Sequence, residues 1–142
     1  MTVKYVHLRP GSSPPALTSK QFLAVLVIDE RVDEGWREMI SRWLVDEGCL
    51  FMMAWGTDCS LWHDSVDRAN LDIFPEGDIP MDRFVMTTCH GYETLQQAFQ
   101  FARRSAFHPK VRFMRPVLVD ICREERSAAL QALFRRAKKI MG

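Results

Sequence analysis

The sequence has no apolar run long enough to cross a bilayer as a helix. Such a helix takes about 18–20 residues, and polar or charged residues break every apolar stretch of the 142-residue chain sooner. It shows no charged-then-apolar leader, because Lys4, His7 and Arg9 interrupt the amino-terminal segment. The expectation is a cytoplasmic protein with no membrane association. Charge of one sign is also lacking: 19 Lys and Arg against 18 Asp and Glu leave +1 at pH 7. No global field is available to hold nucleic acid or an anionic lipid surface, so both are disfavoured as partners. Cysteine is sparse, and Cys49, Cys59, Cys89 and Cys122 include no CxxC pair. In a reducing cytosol they read as free thiols. Cys49, Cys89 and Cys122 border apolar runs and read as small core residues. There is no glycine-rich phosphate cradle either. The turn after the first long apolar run is Asp29-Glu30-Arg31-Val32-Asp33-Glu34, acidic and without GxGxxG or GxxxxGK[ST]. Classical dinucleotide and P-loop readings are disfavoured on that ground.

What is present is a balance of 47% apolar and 26% charged residues, ordinary for a soluble globular chain. The length fits one domain with one core. Four apolar runs read as strands over residues 22–29, 49–55, 83–90 and 116–121. The first is continuous and β-branched, so both its faces want cover, which points to a parallel sheet. A shorter alternating stretch near residues 3–8 reads as an extra edge strand. Between the strands the apolar period switches to that of helices. Trp36, Met39, Ile40, Trp43 and Leu44 share one face of a first helix that Gly48 ends. Further helices are expected over about 58–71, 92–107 and 124–140, with Asp58 or Thr57 capping the second and Pro109 stopping the third. Strands alternating with helices require right-handed crossovers. The fold class is therefore α/β, a three-layer sandwich with a mainly parallel central sheet of four or five strands, Rossmann-like or flavodoxin-like. The expected order sets 49–55 beside 22–29, then 83–90, then 116–121, with the amino-terminal segment on an edge.

A parallel sheet brings the carboxyl ends of its strands to one rim, where open α/β sheets place their sites. The rim would carry Asp29 and Glu30, Thr57, Asp58 and Cys59, Thr88 and His90, and Asp120. The richest stretch is residues 55–64, with Trp55, Asp58, Cys59, Trp62, His63 and Asp64. Asp29, Trp55, Asp58, Trp62 and Asp64 are the expected ligand-binding residues. Core packing is the alternative role for the tryptophans. Cys59, His63 and His90 are the candidate catalytic residues. Cys59 and His63 lie four apart, on one helix face. A helix amino terminus favours a thiolate, an imidazole one turn on can take its proton, and Asp67 one turn further can orient the ring. The competing reading makes Cys59 a helix-start packing residue and His63 a surface partner of Asp67. Asp29, Asp58, His63, Asp64 and His90 are also types that ligate zinc, manganese or iron. Their spacing matches no metal motif, so no metal and no cofactor are assigned. Arg103, Arg104, Arg135, Arg136, Lys138 and Lys139 form a basic cluster. Cations in the last turn of a helix also answer its dipole, which accounts for them without nucleic acid.

The runs over residues 22–29, 49–59 and 62–70 resemble an uncharacterised family of small bacterial proteins, a domain of unknown function. The resemblance spans most of the chain. It implies a small bacterial single-domain α/β protein and carries no activity. Two functions from different classes follow. One is a non-enzymatic binding or protein-interaction module that uses the rim for a protein partner or a small ligand. The other is a small hydrolase with a Cys/His or metal-assisted Asp/His site at the same rim. No catalytic motif passes a test of specificity, which favours the first.

Overall fold

Strand β2, Phe22–Ile28, is buried along its whole length. Seven consecutive apolar side chains need cover above, below and on both flanks, and the fold supplies all four. A computed structural model describes residues 3–111 and 114–137. In chain order the elements are β1 (Lys4–Leu8), β2, α1 (Glu34–Asp46), β3 (Cys49–Gly56), α2 (Cys59–Ile73), a short 3-10 turn (Met81–Arg83), β4 (Met86–Cys89), α3 (Leu95–Arg104), β5 (Arg115–Ile121) and α4 (Ser127–Ala137). The five strands form one sheet in the order β1-β5-β2-β3-β4. Every neighbouring pair is parallel, with registers such as Val6 opposite Val119, Val25 opposite Leu118, Leu26 opposite Ala54, and Met53 opposite Thr88.

Alternate residues of β2 point to opposite faces, and each face meets its own helix pair. Ala24, Leu26 and Ile28 pack with Trp36, Ile40 and Leu44 of α1 and with Trp62 and Val66 of α2. Leu23, Val25 and Val27 pack with Ala98 and Phe99 of α3 and with Leu130 and Phe134 of α4. The three-layer α/β sandwich is therefore the observed architecture, and its sheet is parallel throughout. The long segment between β1 and β2 is held by side chains of α1. Trp36 Nε1 donates to Ser12 O and Trp43 Nε1 to Pro15 O, both at 2.8 Å. No helix among the described residues is long and apolar enough to cross a membrane.

The expected strand order is corrected. β5 sits between β1 and β2, and β4 takes the outer edge beside β3. The physical reason lies in the side chains. Residues 117–121 of β5 are buried on both faces, as a central strand requires, whereas the Met-Thr-Thr-Cys of β4 is only partly covered. The amino-terminal strand is on an edge, as expected. Three boundaries also move. The strand expected over 83–90 shortens to Met86–Cys89, because Asn70 of α2 accepts from Val85 N at 2.9 Å and donates to Arg83 O at 3.1 Å, which holds residues 83–85 to α2 and out of the ladder. Helix α3 starts late because Thr94 and Gln97 close a capping box around it, and it ends at Arg104, before Pro109. Helix α4 starts after Arg126, whose backbone N–H goes to the Tyr5 hydroxyl. Residues 138–140, expected in this helix, lie outside the described residues.

Candidate functional site

Helices α1 and α2 cover one face of the sheet, and α3 and α4 cover the other. The chain leaving β2 enters α1, and the chain leaving its neighbour β5 enters α4. Adjacent strands thus send their continuations to opposite sides. That divergence opens a crevice at the carboxyl ends of β2 and β5, where doubly wound sheets place ligands.

The floor beside this crevice is Asp120, which is fully enclosed. A buried carboxylate persists only if it is paired and hydrogen-bonded. Arg126 provides both, with Nε 3.0 Å from Oδ2 and Nη2 2.8 Å from Oδ1, and the Tyr5 hydroxyl donates to Oδ2 at 2.6 Å. Burial and the bond to Asp120 push the Tyr5 hydroxyl well above its ordinary range, so it stays protonated. The same carboxylate raises the already high pKa of Arg126. Cys122 is pushed up to about 12 by burial and by the nearby Asp120. Asp29 stands at the mouth, 3.8 Å from Arg126 Nη1. Asp58 accepts from Arg31 Nε at 3.2 Å, and Glu30 from Arg123 Nε at 3.3 Å. Between these pairs opens a cavity of about 260 Å3 lined by Arg9, Pro10, Glu30, Arg31 and Arg123. Asp29 and Asp58, two of the three aspartates expected to bind a ligand, therefore hold arginines, and of those arginines Arg31 lines the opening.

The β3–β4 end of the rim carries a second group. Successive residues of β4 face opposite sides. Thr87 points to α2, where its hydroxyl donates to Asp67 Oδ1 at 2.7 Å and lies 3.1 Å from His63 Nε2. The other ring nitrogen of His63 is 3.2 Å from Asp64 and 3.5 Å from Asp67. Thr88 points the other way, its hydroxyl 2.8 Å from His90 Nε2, while His90 Nδ1 meets Glu93 at 2.5 Å. The His90 ring is buried against Phe101, with ring centres 4.7 Å apart. Cys89 faces α2 again, and its Sγ is 2.7 Å from Cys59 Sγ.

His63 thus spends both nitrogens on Asp64, Asp67 and Thr87, and Cys59 spends its thiol on Cys89. The two do not form the candidate thiol–imidazole pair; the competing reading, a buried helix-start Cys59 and a His63 partnered by Asp67, describes them. Trp55 is half-buried, and its indole N–H holds Glu93 O at 2.7 Å, which positions the loop bearing His90 and Glu93. Trp62, expected as a ligand-binding residue with core packing as the alternative, lies in the core, because its indole fills the space between α2 and the sheet. It is fully enclosed against Trp36, ring centres 6.2 Å apart and perpendicular. Among the described residues, no three His, Cys, Asp or Glu gather as a metal site. Sequence reasoning did not single out Tyr5, Arg9, Arg31, Arg123 and Arg126, nor Thr87 and Glu93 as partners of the histidines. One signal was available: an enclosed acid at a strand end needs a cation, and Arg126 is the basic residue six positions on.

No curated protein and no solved structure matches the chain. A family model does match it, over residues 3–137, and the chain belongs to that family, the domain of unknown function DUF7684.

Proposed function

We propose that this is a non-enzymatic binding module of the bacterial cytoplasm whose crevice between β2 and β5 holds a small anionic ligand. It is read as a single domain. The observation that carries the reading is the cavity whose lining bears Arg9, Arg31 and Arg123, with Glu30 as its one acid and Asp58 paired to Arg31 beside it. Arg31 and Arg123 are held only by pairs at the surface, and such pairs contribute about 0–1 kcal/mol, so an anion can displace them at little cost. Guanidinium groups suit carboxylate and phosphate because their forked donors match two oxygens at once. The size of the cavity fits a small acid better than a nucleotide. An acidic side chain of a protein partner presents the same chemistry.

Thermal unfolding with phosphate, citrate and chloride at matched ionic strength tests this. A ligand at about 100 times its Kd adds about 2.7 kcal/mol, which raises Tm by roughly 5–10 °C in a domain of this size. The expected result is a shift with citrate or phosphate that chloride does not give and that Arg9→Ala with Arg123→Ala removes. No selective shift, or a shift unchanged in the double variant, overturns the reading.

A second reading is the hydrolase, and one arrangement favours it. Glu93, His90 and Thr88 stand in the order acid, imidazole, hydroxyl, each within hydrogen-bond reach. This is the order that activates a hydroxyl for attack on a carbonyl. It ranks second because the same bonds close residues 90–94 onto β4, a role that needs no substrate. A fluorophosphonate adduct on Thr88 that disappears in His90→Ala supports it, and an unmodified Thr88 removes it.

A further inference from the structure

We infer that Cys59 and Cys89 form a dithiol site that exchanges with small-molecule disulfides and closes to an internal disulfide. The inference is independent of the anion-binding reading. Cys59 is the first residue of α2 and Cys89 the last of β4, thirty positions apart in sequence. Their sulfurs are 2.7 Å apart. A disulfide bond of about 2.05 Å needs roughly 0.6 Å of further approach. Both backbones are pinned where this happens. His90 N donates to Ala54 O just after Cys89, and Leu61 N and Trp62 N donate to Asp58 O just before Cys59. Little conformational freedom remains to be lost on closure.

The two thiols differ in access, which assigns their roles. Cys89 is exposed and Cys59 is buried. A β-carbon at Gly91 would lie 3.2 Å from Cys59 Sγ, so the absence of a side chain there leaves that flank of the sulfur uncrowded. Cys89 is therefore the entry thiol and Cys59 the resolving one. The Cys89 thiolate attacks one sulfur of a disulfide RSSR. A Cys89–SR bond forms, the S–S bond of RSSR breaks, and RS– leaves. The Cys59 thiolate then attacks Cys89 Sγ, the internal disulfide forms, and a second RS– leaves. The two cysteines lose two electrons, RSSR gains them, and the protons of the two thiols end on two RSH. Cys49 and Cys122 serve as internal controls. Both are buried, and their thiols bond to backbone carbonyls of Phe51 and Glu124.

The pace of the reaction follows from the surroundings of Cys89. Partial desolvation against α2 and the bond to Cys59 push its thiol up to about 11, and Asp64 of α2 adds to this. The reactive thiolate is scarce at neutral pH. The site is thus slow, and its rate climbs with pH through 8 to 10.

The test uses the full chain and glutathione disulfide, followed by trapping of free thiols and peptide mapping without reductant. The expected product is a Cys59–Cys89 crosslink that dithiothreitol reverses, with Cys49 and Cys122 still free thiols. In Cys59→Ser, glutathione stays attached to Cys89; in Cys89→Ser, no adduct forms. Melting of the oxidised wild type rises by roughly 5–10 °C over the reduced form. Intact thiols in the wild type, or glutathione retained on Cys89 as fully in the wild type as in Cys59→Ser, overturn the proposal. If either variant fails to fold, the wild-type map alone decides.

Discussion

Asp120 is the residue on which the β1–β5–β2 end of the rim depends. It is enclosed on all sides, and its oxygens are taken by Tyr5 and Arg126. Asp120→Asn keeps the shape and removes the charge, leaving a partly buried guanidinium with only the more exposed Asp29, 3.8 Å away, as counter-ion. Breaking a buried pair from one side costs about 3–5 kcal/mol. Arg126 is one-third exposed, so water recovers part of this. The expected loss is about 2–3 kcal/mol, read from the urea midpoint with the slope unchanged. A loss below about 0.5 kcal/mol would show that the pair holds nothing together. Tyr5→Phe removes two hydrogen bonds, the one donated to Asp120 and the one accepted from Arg126 N, and costs about 1–3 kcal/mol.

At the scale of elements, the sequence was most legible where one physical demand acted alone. The unbroken run of β2 and the helical spacing of Trp36, Ile40 and Leu44 each answer to burial, and the structure places them accordingly. The late start of α3 was written in Thr94 and Gln97, a capping signature that the broader apolar stripe overshadowed. Strand order was less legible, because each strand was read without asking which could tolerate an edge. Thr87, Thr88 and Cys89 mark β4 as an outer strand, since hydroxyls and a thiol accept partial exposure that Val117–Val119 would not. The site was legible as a place and not as a set of bonds. Asp29 and Asp58 do stand at the rim, but their arginines come from loops whose positions no local period encodes. Cys59 was read against His63 by helical spacing, while its actual neighbour arrives from a strand thirty residues away.

For the whole molecule, the enclosed thiols and phenol set a limit on the alkaline side. Cys49 is pushed from an ordinary 9.0 up to about 12 by burial, Cys122 likewise, and Tyr5 is raised as well. In the unfolded chain these groups ionise near their ordinary values, while in the folded chain they keep their protons. Above about pH 9 the unfolded state therefore binds fewer protons, and stability falls as pH rises. Their contribution is complete below the unfolded pKa and is lost as pH climbs towards the folded values. Melting temperature is expected to hold level from pH 7 to about 8.5 and to drop steadily from about 9 to 11. Cys49→Ala, lacking one of these groups, should fall less over that interval under reducing conditions. A flat profile to pH 11 would contradict the burial of these groups.

The sheet also divides the indoles unevenly. Trp36, Trp43 and Trp62 stand on the α1–α2 side, and Trp55 alone packs with the α3–α4 side. Ultraviolet emission from this protein is consequently a lopsided reporter. Its bulk signal follows the first half-shell, and the single remaining fluorophore watches the loop that carries His90, so loosening of α4 can proceed in spectroscopic silence.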